Sequence, residues 1–382
     1  MAEINEIDER TAEQNEIAAE MAINGGAIYG ATGIGKTRIL VKAIEYIREN
    51  YPEYKCVWAV PTEQLRDNDT PSDIKKWKTS PKFQVDLVCY KSLCDYAGGD
   101  ILVLDELHHI TENNMVGYLK KPPKIIIGGT ATEPTNTEKK DLLKTLNIKP
   151  VRRISLQQAR DKNYVQDFNI FICKIPLDAQ VKYIKGYKYQ GFVSEEQRYK
   201  DINQLIGRIQ SQQGSVPFMM RINRKRFVAG VKTKELFAKR IIAKWIQEEK
   251  RFLIFATSIP QAETLSKHFY HSKTDTEHLE KFQQGKINHL ACVQALDEGV
   301  NLYNIDCLLI ISTDKEIRRL LQKIGRGIRL RPGVPACTVS IVISKDTIED
   351  KWLEENINSK HFDSNKIHIK DYEQSITMLI NK

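Results

Sequence analysis

One octet limits this chain more than any other feature: GATGIGKT, from Gly30 to Thr37, lies between a short apolar run and a segment of helical period. The spacing fits G-x-x-x-x-G-K-T, in which a strand passes through a glycine-rich turn into the first turn of a helix. Glycines at 30, 33 and 35 let successive backbone amides curl around an anion, and Thr32 and Ile34 complete the turn. Lys36 can set its ammonium on the β and γ groups of a nucleotide triphosphate, and the Thr37 hydroxyl can ligate Mg²⁺. Such a loop requires a parallel sheet with helices on its faces, so the first half of the chain is expected to be α/β.

The pattern around the octet agrees. Apolar runs at Ala27 to Tyr29, Cys56 to Val60, Val85 to Cys89, Ile101 to Leu104 and Lys124 to Ile127 read as strands buried on both faces, separated for the most part by helical segments. The rhythm returns at Phe252 to Ala256, Leu290 to Val293, Cys307 to Ile311 and Thr338 to Ile343. Between them, from about Leu156, runs a Lys-, Gln- and Arg-rich stretch with helical spacing such as Leu236, Ile241 and Trp245. We expect one α/β domain over 1–150, a mostly helical connector over 151–250, and a second α/β domain over 251–382. A chain of 382 residues is long enough for two cores.

A phosphate loop needs a carboxylate to hold its metal. ILVLDELHH supplies one: Asp105 directly follows an apolar strand, with Glu106 beside it and His108 two positions further on. Asp105 is the candidate for holding Mg²⁺ through water. Glu106 is the candidate for orienting or deprotonating the water that attacks the γ-phosphate in line.

Taken in order, GATGIGKT, DELH, TAT at 130–132, LDEGVNL at 296–302 and QKIGRGIR at 322–329 resemble motifs I, II, III, V and VI of helicase superfamily 2, with DELH as its DExH variant. The resemblance spans about residues 10 to 345. It implies two tandem RecA-like domains with ATP and Mg²⁺ bound between them. Gln322, Arg326 and Arg329 would act from the second domain, the arginines as fingers against the γ-phosphate. Thr130, Thr132 and His108 would couple hydrolysis to movement. Gly299 would touch the nucleotide, and Glu298 the nucleic acid. PTEQL (61–65), CYKSL (89–93) and FATS (255–258) are similar to motifs Ia, Ib and IV, making Thr62, Tyr90, Ser92 and Thr257 track contacts. Asn301 stands where the family usually has Asp.

Two local readings stay open. Thr11 to Gln14 fits a capping box that starts a helix; alternatively, Arg10 and Gln14 resemble the upstream motif in which a Gln amide reads adenine. The runs YIKGYKYQGF (183–192) and RINRKRF (221–227) are either solvated helix faces or phosphate contacts beside stacking platforms.

The charge is +9, with a pI of about 9.0. It is unevenly spread: residues 1–20 hold seven acidic side chains and one Arg, whereas 221–251 hold eleven basic and three acidic ones. An anionic partner is therefore expected. The seven cysteines form no C-x-x-C pair, which argues against a zinc knuckle or a disulfide framework and for reduced, mostly buried thiols. His109 is assigned to structure, for no other His or Cys lies at a ligand spacing. With no apolar run long enough to span a bilayer and no signal-peptide pattern, the chain is expected to be soluble and cytoplasmic, and monomeric.

The DExH box with a Gln in the sixth motif looks most like DNA-handling and restriction-type members. The expected function is ATP-driven movement along a strand, DNA favoured over RNA, with 3′ to 5′ polarity. Three rivals share these residues: a motor that remodels or anneals branched DNA without processive unwinding, the motor subunit of a nuclease complex with a protein partner, and an ATP-gated RNA-binding clamp.

Overall fold

The computed structural model describes the chain except for residues 1, 82, 96–97, 132, 135, 181–192, 272, 294–301, 303, 314, 316–319, 321–322, 326–335, 358–365, 372–373 and 375–382. It divides into two compact units, one reaching to Gln166 and the other starting at Asp167.

The first unit opens with α1 (Ala2–Asn24), followed by β1 (Gly26–Gly30), α2 (Lys36–Asn50), β2 (Cys56–Val60), α3 (Thr70–Trp77), β3 (Asp86–Cys89) and β4 (Ile101–Asp105). It continues through α4 (Glu112–Lys120), β5 (Ile125–Thr130), α5 (Thr137–Thr145), β6 (Pro150–Ile154) and α6 (Leu156–Asp161). Its six strands are all parallel, in the order β3-β2-β4-β5-β1-β6. β1, β2 and the body of β4 are buried along their length, as uninterrupted runs such as CVWAV require when helices cover both faces. α2 turns Ile39, Leu40, Ala43, Ile44 and Ile47 inward at helical spacing, which presses its first turn against the sheet beside the phosphate loop.

The second unit starts with β7 (Phe168–Ile175), then α7 (Glu195–Gln213), α8 (Phe218–Ala229), α9 (Lys232–Gln247), β8 (Phe252–Phe255), α10 (Ile259–Leu265) and β9 (Phe269–Tyr270). After these come α11 (Glu277–Gln283), β10 (His289–Cys292), β11 (Cys307–Ile311), β12 (Cys337–Ser344), α12 (Ile348–Ile357) and β13 (Ile367–Asp371). Seven parallel strands run in the order β13-β7-β12-β11-β8-β10-β9. The fold is thus two parallel-sheet α/β domains in tandem.

Several expectations are corrected here. The segment read as a helical connector supplies β6 to the first sheet and β7 to the second. Both were missed because Pro150, Arg152 and Arg153 interrupt one run and Asn169 and Lys174 the other, and strands near a sheet edge tolerate such residues. Thr11 does not start a helix: α1 runs through it, so the capping-box reading fails. In α9 the inward stripe is Phe237, Ile241 and Trp245, while Leu236 is exposed. All seven cysteines are free thiols, and six are buried. No described helix is long and apolar enough to cross a membrane.

Candidate nucleotide-hydrolysis site

The register of the first sheet assembles the site. Asp105 pairs with Gly129 across β4 and β5, and Tyr29 pairs with Thr130 across β1 and β5. The phosphate loop, Asp105 and Thr130 therefore leave the carboxyl ends of three adjacent strands, which is where open α/β sheets bind ligands.

The loop is held in shape by backbone that only glycine adopts freely. Gly33 and Gly35 have φ of +97° and +90°. A Cβ at Gly35 would also fall 2.4 Å from Gln14 Nε2. From α1, Arg10 Nη2 donates to the Gly33 carbonyl at 2.6 Å and Gln14 Nε2 to the Ile34 carbonyl at 2.6 Å. Arg38 Nη1 donates in turn to Gln14 Oε1 at 2.6 Å. Gln14 is buried, so the helix preceding β1 clasps the loop from behind. Burial lowers the Arg10 pKa, Tyr164 nearby works against that, and the guanidinium lies 6.0 Å from the Tyr164 ring centre. Arg38 was missed from sequence, since no spacing rule marks the residue after the loop's threonine.

Lys36 is buried, and its Nζ donates to the Gly30 carbonyl at 3.1 Å, which folds its charge over the loop. The half-buried Thr37 side chain makes no hydrogen bond among the described residues. Asp105 Oδ1 accepts from the Glu106 amide at 3.0 Å. Burial, and then Glu106 beside it, push the Asp105 carboxyl up to about 7, against the pull of Lys36.

Glu106 is a non-glycine residue in the left-handed region, with φ 49° and ψ 54°. Its buried Oε2 has no hydrogen-bond partner and lies 3.4 Å from His108 Nδ1. Strain and an orphaned carboxylate oxygen at one residue point to a role other than stability. His108 Nδ1 also sits 3.0 Å from Thr130 Oγ1, joining the ends of β4 and β5 through two buried side chains, and Lys139 Nζ donates to the His108 carbonyl. His109 packs against His108 at a tilt of 43°, with ring centres 4.3 Å apart.

The residue set fits MgATP: an amide-lined loop, a buried ammonium, an uncommitted threonine hydroxyl and a carboxylate pair at adjoining strand ends. The other sequence candidates take local partners. Tyr90 is buried, and its hydroxyl donates to the Asp105 carbonyl at 2.9 Å, so the phenol supports β4 instead of facing outward. Thr62 and Ser92 are exposed, and Thr62 Oγ1 caps the Leu65 amide at 3.3 Å. Thr257 is exposed in the second unit and its Oγ1 donates to Gln261 Oε1 at 2.9 Å. Thr132, Glu298, Gly299, Gln322, Arg326 and Arg329, like the 183–192 run, lie outside the described residues.

Comparisons with known proteins agree with this architecture. Residues 233–331 match the model of the helicase conserved C-terminal domain. The fold resembles the Pyrococcus furiosus Hef helicase domain with a TM-score of 0.58 at 14% identity, over 90% of this chain and 97% of that one. It resembles the ATP-dependent Type ISP restriction-modification enzyme LlaBIII bound to DNA, with a TM-score of 0.57 at 13% identity over 96% of this chain. There the chain spans 32% of the enzyme's length. S. cerevisiae Dbp5 bound to RNA and ADP BeF3 is similar over 93% of this chain and 87% of that one, with a TM-score of 0.54 at 13% identity. No curated protein matches in sequence. At these identities the structural likeness is one of fold: a helicase-type pair of tandem RecA-like domains.

Proposed function

We propose that the chain is an ATP-hydrolysing translocase of the DExH type in helicase superfamily 2, moving along nucleic acid with DNA favoured over RNA. The observation that carries this reading is the buried His108 beside the phosphate loop, whose Nδ1 lies 3.4 Å from Glu106 Oε2 and 3.0 Å from Thr130 Oγ1. A simple phosphate-binding loop needs no such relay, whereas a motor must report the state of its γ-phosphate to the rest of the domain.

In this reading Gly33 and Gly35 shape the amide cradle, and Lys36 moves from the Gly30 carbonyl to the β and γ groups. Thr37 directly and Asp105 through water would hold Mg²⁺, which would supply charge neutralisation on the phosphates. Glu106 Oε2 accepts a hydrogen bond from the attacking water. His108 then carries a change at Glu106 to Thr130 and β5. Gln14, held by Arg38, keeps one amide hydrogen and one lone pair for adenine. The resemblance to motif VI assigns Arg326 and Arg329 to stabilising charge on the γ-phosphate. The polarity is 3′ to 5′, and the likeness to a restriction-modification enzyme keeps open a partner that carries specificity or a nuclease.

The test is steady-state ATP turnover of the full chain alone and with single-stranded DNA, duplex DNA, forked DNA and RNA, with Lys36→Ala and Glu106→Gln as controls. Stimulation by one polymer, lost in both variants, supports the motor and names its track. Turnover indifferent to every polymer overturns it.

A further inference from the structure

We propose that the α7–α8 hairpin is a nucleic-acid-gripping prong whose flanks hold phosphates and whose tip stacks on a base. The proposal extends the translocase reading above to a structure built on the second unit.

The hairpin has a locked base and a bare tip. At the base Glu195 is buried, its Oε1 accepting from the Lys232 and Thr233 amides at 2.8 and 3.2 Å. Its Oε2 accepts from Thr233 Oγ1 at 2.6 Å and the Asp178 amide at 3.0 Å. Val228 and Ala229 are buried at the other root. Further along, Tyr199 Oη accepts from the Ile348 amide at 2.8 Å and Arg224 Nη1 donates to Asn203 Oδ1 at 3.2 Å, which hold α7 against α12 and α8. Beyond these ties the side chains are exposed or only half-buried. The 19 residues of α7 extend roughly 28 Å at 1.5 Å per residue, so the far end stands well away from its root. Gly214, at φ 69°, turns the chain back.

The exposed end has an unusual composition. From Ile202 to Ala229, the end of α8, there is no Asp or Glu, against five Lys or Arg. Arg208, Arg221 and Arg226 are exposed and make no ion pair among the described residues. A solvated helix ordinarily interleaves both signs, as α11 does with its Glu277–Lys281 pair. At the tip Phe218 is 69% exposed and Met219 56%. Large apolar side chains left in water at the end of a one-signed basic prong match a polyanion that also offers flat π faces. Nucleic acid supplies both, phosphates for the guanidiniums and a base for the phenyl ring.

The experiment uses the full chain without nucleotide and follows anisotropy of labelled forked, single-stranded and duplex DNA across a salt series. Arg208→Ser/Arg221→Ser/Arg226→Ser should flatten the slope of log affinity against log salt by about 2 to 3, since each phosphate contact contributes roughly 0.7 to 0.9. Phe218→Ala/Met219→Ala should leave the slope unchanged and weaken fork binding several-fold, and Phe218→Trp should restore it with indole quenching on binding. Parental slope in the first variant, or parental fork affinity in the second, overturns the proposal. So does a change of sedimentation in the tip variant with DNA binding intact, which would make the prong a protein interface. ATP turnover with single-stranded, duplex and forked DNA and RNA separates the two readings: absence of stimulation by every polymer in the parent sinks the motor, whereas stimulation that persists in both variants leaves the motor standing whatever the prong does.

Discussion

Replacing Asp105 with Asn should stabilise the first domain while abolishing hydrolysis. The carboxyl is raised from an ordinary 3.8 to about 7 by burial and by Glu106. The sign follows from proton counting: between those values the folded state keeps a proton that the unfolded chain has released, so stability falls as pH rises through this window and levels off above it. The full displacement corresponds to about 4 kcal/mol at 1.36 kcal/mol per pH unit, and partial exposure at the strand end screens it to about 1–3 kcal/mol. For a unit reaching to Gln166 this is roughly 2 to 10 °C in melting temperature. The assay is thermal unfolding of parent and Asp105→Asn in chelator at pH 5, 6, 7 and 8. The variant's advantage should grow from pH 5 to 7 and then flatten. With MgATP present the order should reverse, because only the parent holds the metal. An advantage independent of pH, or a variant less stable at pH 8, would refute the assignment of an electrostatically costly Asp105.

Three further outcomes follow from the same geometry. Gly35→Ala should cost about 1–3 kcal/mol from its +90° φ and its approach to Gln14, and should weaken nucleotide binding at least tenfold, measured with a fluorescent ATP analogue. Thr130→Val removes the hydroxyl facing His108; turnover should fall less than strand displacement does, and equal losses in both would deny the coupling role. Lys234 and Glu349 are fully buried and paired at 2.7 Å, so Lys234→Met should destabilise the second domain by about 3–5 kcal/mol, with much of that recovered in Lys234→Met/Glu349→Leu, as read by denaturant unfolding.

The fold was legible where burial is two-sided. CVWAV, ILVLD and CLLII announce strands because nothing polar interrupts them, and each lies in the interior of its sheet, beside two neighbours. β6 and β13 lie at sheet edges and β7 next to one, and their polar residues hide them from any test that asks for continuous apolarity. The site was legible where one residue serves a single local geometry. The phosphate loop is contiguous, and each of its glycines answers to a backbone angle or a close approach. Tyr90 was misread for the opposite reason: an aromatic after a strand looks available for stacking, and only the fold shows its hydroxyl turned onto the Asp105 carbonyl.

Gln14 shows why the remainder needed coordinates. Its sequence neighbours suggest a helix start, and Thr11 and Gln14 have the right spacing for one. That reading fails because α1 was already helical before Thr11, so no free amide waits there to be capped. The side chain is then released for a partner twenty residues away, and the two partners it takes, the Ile34 carbonyl and Arg38, lie on either side of Lys36. A substitution at Gln14 therefore acts on the phosphate cradle before it acts on any base. Gln14→Ala should weaken ATP and GTP binding alike through the loop, and only the excess loss for ATP over GTP measures adenine recognition. Equal losses would assign Gln14 wholly to the clasp, and a loss confined to ATP would show that the loop holds its shape without it.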